Sequence, residues 1–448
     1  MAPTNAEIVA GALARTRKVM RAAYDQTRGP IPSLGLRQEA SRRDRGPPPS
    51  VWTSSVTFSV PAEDDARDAV EAAVRDLADA NTLPSPLPLE SAPVAAEWVG
   101  VKCDGTHAAG VDSPRSRFYA LNRDVQNNQT IIFVHGGGFF SNGLGTARPT
   151  AVRLSKETGG RVISLDYRLA PQSAFPSQML DLLNLYLSLL HPPPGAFHDP
   201  IPSSSIVLAG ESAGACIILG FLQLLLQLRS QTIAFHGHTF APVPMPAGAT
   251  VLSPQADLAL CLPSWNTNRD FDIWSESAPY IKPDFPPDAI WPSNPPREEL
   301  YCGASLFAHP MVSPCTAKSW TGSPPLWFGV GQERLADSAM IIAQTAERDG
   351  VCVWWDQYEA LPHCWPFIMP KIPHSGHVFK RWGRACLAMV GRHSLQSRAT
   401  WFGVDALEET TKDVKTLTTL NPSKAKEMIE AKAKASKVYS GGKIDAQL

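Results

Sequence analysis

The stretch Ser205-Ile-Val-Leu-Ala-Gly-Glu-Ser-Ala-Gly-Ala-Cys-Ile-Ile-Leu-Gly-Phe-Leu-Gln-Leu-Leu-Leu-Gln-Leu-Arg229 changes character at its centre. Ser205–Ala209 is short, apolar and partly β-branched, the pattern of a buried strand. Ala215–Arg229 is long and apolar nearly throughout, the pattern of a buried helix. Between them stands Gly210-Glu-Ser-Ala-Gly214, a Gly-x-Ser-x-Gly turn from strand to helix. Such a turn strains the serine backbone and crowds its neighbours, so residues without bulk flank it. It presents Ser212 Oγ at the positive end of a helix, a place that suits a nucleophile.

Outward from this turn the same alternation recurs. Strands are predicted over Val51–Val60, Ala96–Val101, Ser116–Asn122, Thr130–Val134, Arg161–Asp166, Ala249–Leu252, Leu326–Val330 and Val351–Trp355, the last of the series. Helices are predicted over residues 5–27 and 62–80, and over Thr146–Thr158, Phe175–Leu190, Leu335–Asp349 and Ser375–His393, with 28–50 read as loop. Early strands followed by repeated strand–helix units imply an α/β fold, a mostly parallel central sheet with helices on both faces. Residues 260–318 break the rhythm: many aromatics among many prolines, too long for a plain loop. Residues 404–440 carry two polar helical patterns, the second rich in lysine.

Composition narrows the function classes. A chain of 448 residues, 44% hydrophobic, holds one large α/β domain with insertions or two ordinary domains. Lys+Arg of 41 against Asp+Glu of 42 leaves no net pull toward nucleic acid or another polyanion. The eight cysteines have neither zinc-ligand nor disulfide-framework spacing. The first residues lack a basic segment followed by an apolar one, so the expectation is a cytoplasmic protein with reduced thiols. Residues 5–27 set Ile8, Val9, Leu13, Val19, Met20 and Tyr24 among Arg15, Arg17, Lys18 and Arg21, an amphipathic helix. It is read first as packing over the body, and alternatively as a lid or a weak contact with a membrane surface.

A second stretch carries chemistry. Thr130–Phe140 runs as a strand into His135-Gly136-Gly137-Gly138, whose bare backbone N–H groups suit a developing oxyanion. His135 is read as orienting this loop rather than as a base. Ala213 adds an unpaired N–H at the start of the helix after the serine. No third ligand accompanies His236 and His238, or His374 and His377, so no metal is expected.

His-Gly-Gly-Gly, then Asp166-Tyr-Arg-Leu-Ala-Pro171, then Gly210-Glu-Ser-Ala-Gly214 together resemble the hormone-sensitive-lipase family of α/β-hydrolases. Ser253-Pro-Gln-Ala-Asp257, His309-Pro-Met-Val-Ser-Pro314 and Pro324-Pro-Leu-Trp-Phe-Gly-Val-Gly331 fit the same series, from about Ala95 to His393. Tyr358-Glu-Ala-Leu-Pro-His-Cys364 resembles the fungal esterase and acetyl-hydrolase-like branch. The resemblance implies an α/β-hydrolase fold with a catalytic domain over 95–400 and a cap from 1–94, helped by the 260–318 insertion. Residues 401–448 are then a polar helical extension. It implies a serine carboxylesterase acting on a small-molecule ester, with short- to medium-chain acyl groups (acetyl included) and no cofactor. Lactone or amide hydrolysis, or acyl transfer in a natural-product pathway, stays open, as does a non-catalytic receptor on the same fold. The alcohol is expected to be chosen by the cap and the insertion.

A serine hydrolase of this fold needs an acid and a base after the serine. His363 follows the Val351–Trp355 strand and is the candidate base; His374 and His377 are poorer placed. For the acid, the family usually reads Asp-x-Leu-x-Asp where this chain has Glu333-Arg-Leu-Ala-Asp337. Glu333 lies nearer the strand end and is favoured, with Asp337 the alternative. By resemblance, the N–H groups of Gly137, Gly138 and Ala213 form the oxyanion hole. Gln172 departs from the family's glutamate, and Asp166 and Arg168 are read as a structural hydrogen-bonded turn.

Overall fold

The computed structural model describes residues 3–22, 31–78, 89–103, 111–274, 279–282, 285–391 and 395–439. Twelve strands appear among them: β1 Val51–Phe58, β2 Val94–Val101, β3 Thr130–Val134, β4 Arg161–Asp166, β5 Ile206–Glu211, β6 Ile233–Phe235, β7 His238–Phe240, β8 Gly248–Leu252, β9 Leu326–Gly331, β10 Val353–Tyr358, β11 Arg398–Phe402 and β12 Glu409–Lys412. Ten form one sheet in the order β1-β2-β4-β3-β5-β8-β9-β10-β11-β12, while β6 and β7 make a separate hairpin. From β4 to β11 all neighbours run parallel; the β1–β2, β2–β4 and β11–β12 pairs are antiparallel.

The central strands are apolar on both faces because both faces are covered. In β3, Ile132 and Val134 join one core with the helices Ser177–Leu190 and Ala213–Gln227. Ile131 and Phe133 join the other, with the helices Leu144–Thr158 and Pro373–Val390. The segment Ala213–Ser230 is apolar enough to cross a bilayer, with mean hydropathy 1.5, but 78% of it is buried within the protein. Its all-round apolar character is that of a core helix.

Several elements differ from the sequence expectation. Ser116–Asn122 is helical, within Pro114–Asp124, because Ser113 caps it: the Ser113 side chain accepts from Ser116 N at 3.1 Å and Pro114 fills the first turn. Leu34–Ser41 is a helix inside the segment read as loop. The sheet also reaches beyond both ends of the 95–400 span, since β1 pairs with β2 and β12 pairs with β11. The Val351–Trp355 strand is therefore not the last. Of the two polar patterns after residue 404, one is β12 with a short 3-10 turn, and only Pro422–Lys434 is an α-helix, with Ala425 and Ile429 buried.

The N-terminal helix covers Asn5–Ala22, with Val9 and Leu13 buried against the body; residues 23–27 of the predicted helix, Tyr24 among them, lie outside the described residues. Arg17 donates to the carbonyls of Asp272 and Arg269, both at 2.8 Å. The helix thus ties the N-terminal region to the insertion.

Candidate active site

Parallel strands bring their C-terminal ends to one edge of the sheet, where loops from β3, β5, β9 and β10 converge. The loop after β5 is the sharpest. Ser212 has φ +54° and ψ −121°, a region that costs a non-glycine residue about 1–3 kcal/mol. Three backbone bonds hold it there. Ser212 N donates to Leu252 O at 3.0 Å, and Ser212 O accepts from Cys216 N and Gln255 N, each at 3.1 Å. A Cβ on Gly210 or Gly214 would stand 2.9 or 2.1 Å from Val134 O, so β3 can approach only a turn flanked by glycines.

His363 reaches this serine from the loop after β10. Its Nε2 lies 2.9 Å from Ser212 Oγ. Behind it, Nδ1 stands 3.5 Å from Glu333 Oε2, an ion-pair distance longer than a tight hydrogen bond, and the carboxylate is fully buried. Burial alone pushes the His363 imidazole down, but Glu333, Asp272 and Glu211 outweigh it and hold it above the usual histidine range. Burial likewise raises the Glu333 carboxyl, an effect His363 and Ser253 partly offset and Asp272 reinforces. Trp274 sets its ring edge against the imidazole at 5.3 Å. Asp337 is placed differently: its Oδ2 accepts from Ser264 N at 2.7 Å and its N–H donates to Ser264 Oγ. Of the two candidate carboxylates, Glu333 is the one that lies beside His363.

On the opposite side of Ser212 is the glycine loop. Among the described residues, the N–H groups of Gly137, Gly138 and Ala213 donate to no other group. Gly137 has φ +101°, and a Cβ there would stand 2.4 Å from Ser141 O, so only glycine fits. Glu211 braces the loop. Its Oε1 accepts from Gly136 N at 2.6 Å, and its Oε2 from Cys364 Sγ at 3.5 Å, so one carboxylate joins the glycine loop to the histidine loop. His135 faces away: Nδ1 meets Gly136 O at 2.8 Å, the ring stacks on Tyr167 at 4.4 Å, and burial lowers its pKa to about 4, leaving it neutral.

Other expected residues take different partners. Asp166 pairs with Arg42 at 2.8 Å and Arg168 with Asp181 at 2.8 Å, so these two bind other elements rather than closing a turn on each other. Gln172 exchanges amide hydrogen bonds with Gln38 of the helix Leu34–Ser41. His374 meets Gly403 O and His377 meets the Tyr358 hydroxyl. Among the described residues no cluster of His, Cys, Asp and Glu could hold a metal.

One residue of the site has no sequence signal. Asp272, buried in the insertion, accepts from Arg334 N at 2.6 Å through Oδ2, and from His363 N at 3.1 Å and Ile273 N at 2.6 Å through Oδ1. A single carboxylate therefore fixes the Glu333–Arg334 loop and the His363 loop, whose bonded residues lie 62 and 91 positions away. Hydrogen bonds to an ionised acceptor are the stronger kind, which suits this task.

Ser212 opens on a cavity of about 800 Å³. Its walls come from the glycine loop, the helix Leu144–Thr158, residues 363–370 and the start of the helix Pro373–Val390. Among the described residues, Ile273 and Trp274 are the ones of the 260–318 insertion that line it, and 1–94 contribute none. The insertion's Trp291, Tyr301 and Phe307 are buried in the core, while its Trp274 faces the cavity.

The chain is similar to an acetyl-hydrolase of Streptomyces hygroscopicus, 29% identical over 249 residues that cover 55% of this chain and 72% of the relative. It is 28% identical to an esterase of Acinetobacter venetianus over 54% of this chain and 69% of that one. A solved esterase of the bacterial hormone-sensitive lipase family superposes with a TM-score of 0.56 at 21% identity, over 87% of this chain and 100% of the other, which shows a shared fold. The profile of the α/β-hydrolase fold family matches residues 131–367, more than half the chain and the span that holds Ser212, Glu333 and His363, and the chain belongs to that family, as its hormone-sensitive-lipase-like motifs implied.

Proposed function

We propose that this protein is a serine carboxylesterase that cleaves short- to medium-chain acyl esters, acetates included, through an acyl-enzyme on Ser212. The observation that carries the reading is the 2.9 Å contact between Ser212 Oγ and His363 Nε2, backed by buried Glu333 and faced by three N–H groups that donate to no other group among the described residues. His363 Nε2 takes the hydroxyl proton as Oγ attacks the ester carbonyl. Glu333 holds the imidazole with its Nδ1 proton turned inward and stabilises the imidazolium. The N–H groups of Gly137, Gly138 and Ala213 receive the oxyanion, where each such donor is worth about 3–4 kcal/mol of transition-state stabilisation. His363 then protonates the departing alkoxide, and water repeats the sequence to release the acid. The eight cysteines are free thiols and favour a reducing, cytoplasmic setting. A p-nitrophenyl ester series from acetate to decanoate tests the reading. Turnover of the acetate and butyrate is expected, and an inert enzyme across the series overturns it.

Asp272 enters this reading as a positioning residue. Asp272→Asn keeps the shape but offers one acceptor oxygen to three N–H donors, so at least one donor loses its partner at a cost of about 1–3 kcal/mol of stability. It also removes one of the negative charges that raise His363. The imidazole must be neutral to accept the Ser212 proton, so a lower pKa moves the acid limb of kcat/KM to lower pH. The expected result is about a tenfold loss of kcat with that downward shift. A purely structural role for Asp272 would lower activity and leave the limb in place.

A further inference from the structure

The cavity beside Ser212 extends along two helices that take no part in the chemistry. Pro149 and Arg153 line it from Leu144–Thr158, Gly376 and Phe379 from Pro373–Val390, and Phe367 and Ile368 from the short helix Trp365–Ile368. Its volume of about 800 Å³ falls among pockets that enclose a whole drug-sized ligand, and far exceeds what an acetyl group fills. The wall is aromatic: Phe367 and Phe379 meet edge to face at 6.3 Å, and Phe367 is left 39% exposed. Arg153 is the cation on this wall, but it is already engaged. Its Nε lies 2.8 Å from Glu157 Oε1 and its guanidinium sits 5.5 Å from the Phe379 ring centre. The charge is offset within the protein, so the wall favours a neutral apolar group over an anion.

Gly376 is the opening in this wall. A glycine within a helix costs about 1 kcal/mol relative to alanine. A Cβ at Gly376 would meet no atom within 4 Å, so neither packing nor backbone conformation demands glycine there. What the missing side chain leaves is cavity.

Resting on the esterase reading above, we propose that this part of the cavity is a subsite for an extended or planar apolar group of a neutral ester, and that Gly376 sets its bore. The group can belong to the acyl or the alcohol half, and two substrate series separate these: ethyl esters of rising acyl length, and acetates of rising alcohol length. The test uses Gly376→Ala, Gly376→Leu and Gly376→Phe, with thermal melts to confirm folding; Leu keeps the test readable if Phe does not fold. Activity on ethyl acetate, whose two halves are both too short to fill the subsite, should stay within about twofold of wild type in the Leu and Phe variants, and Ala should be silent throughout. In one of the two series, kcat/KM should fall by about fourfold for each methylene that loses its place, with Phe worse than Leu. Parallel losses on acetate and long esters, or no length-dependent loss in either series, overturn the proposal. Failure of the esterase reading looks different: the wild-type enzyme would itself be inert toward p-nitrophenyl acetate.

Discussion

Ser212→Ala is expected to lower kcat by about 10⁴–10⁶-fold while leaving the fold in place, because removing the nucleophile of a triad removes nearly all that the triad does as a unit. The fold is insulated from the change. Ser212 is held by its backbone, through Leu252 O, Cys216 N and Gln255 N, and its Oγ bonds only His363 among the described residues. Alanine inherits the same strained φ of +54°, so the melting temperature should move little. Kinetics on p-nitrophenyl butyrate together with a thermal melt check both halves. Activity within tenfold of wild type would remove Ser212 from the reaction.

The second large effect separates the two candidate acids. Glu333→Ala should cost between about 10² and 10⁴ in kcat, since an imidazole without its carboxylate loses orientation and the stabilisation of its charged form. The 3.5 Å approach of Glu333 to His363 in the free enzyme places the expected loss in the lower part of that range. Asp337→Ala should cost less than about tenfold in kcat, and about 1–3 kcal/mol of stability, because it strips an acceptor from the Ser264 N–H. The two losses should also differ in pH dependence. Removing Glu333 takes away the strongest influence that raises His363, so the acid limb of the surviving activity moves to lower pH; removing Asp337 leaves it in place. The reverse ranking of the two variants would transfer the acid role to Asp337.

Legibility in the sequence followed the range of the interactions involved. The turn around Ser212 could be read because its constraints are local: a strand, two residues without room for Cβ, and a helix start within a few positions. His135–Gly138 could be read for the same reason. Glu333 and His363 are legible as candidates from chain order, strand ends and the family resemblance, the first two supplied by the α/β rhythm. Ser116–Asn122 was misread because its apolar residues alternate loosely, whereas the decisive signal was the cap, Ser113-Pro114, just outside the segment. Asp272 could not be read at all. Its role lies in meeting Arg334 and His363 across 62 and 91 residues, and an Asp among prolines and aromatics carries no local mark of that. Gly376 was invisible for the opposite reason: its significance is an empty volume, set by what the neighbouring helix leaves open. The aromatic insertion is hard to read in the same way: Trp291, Tyr301 and Phe307 are buried in the core while Trp274 faces the cavity, and no local signal separates them.

The most direct measurement of the central claim is covalent. Incubation with a fluorophosphonate, followed by intact-mass and peptide mass spectrometry, reports which side chain His363 activates. One phosphonyl group per chain is expected, on the peptide that contains Ser212, lost in Ser212→Ala and strongly slowed in a variant that replaces His363. Labelling at another serine, or an adduct that persists in Ser212→Ala, would contradict the account.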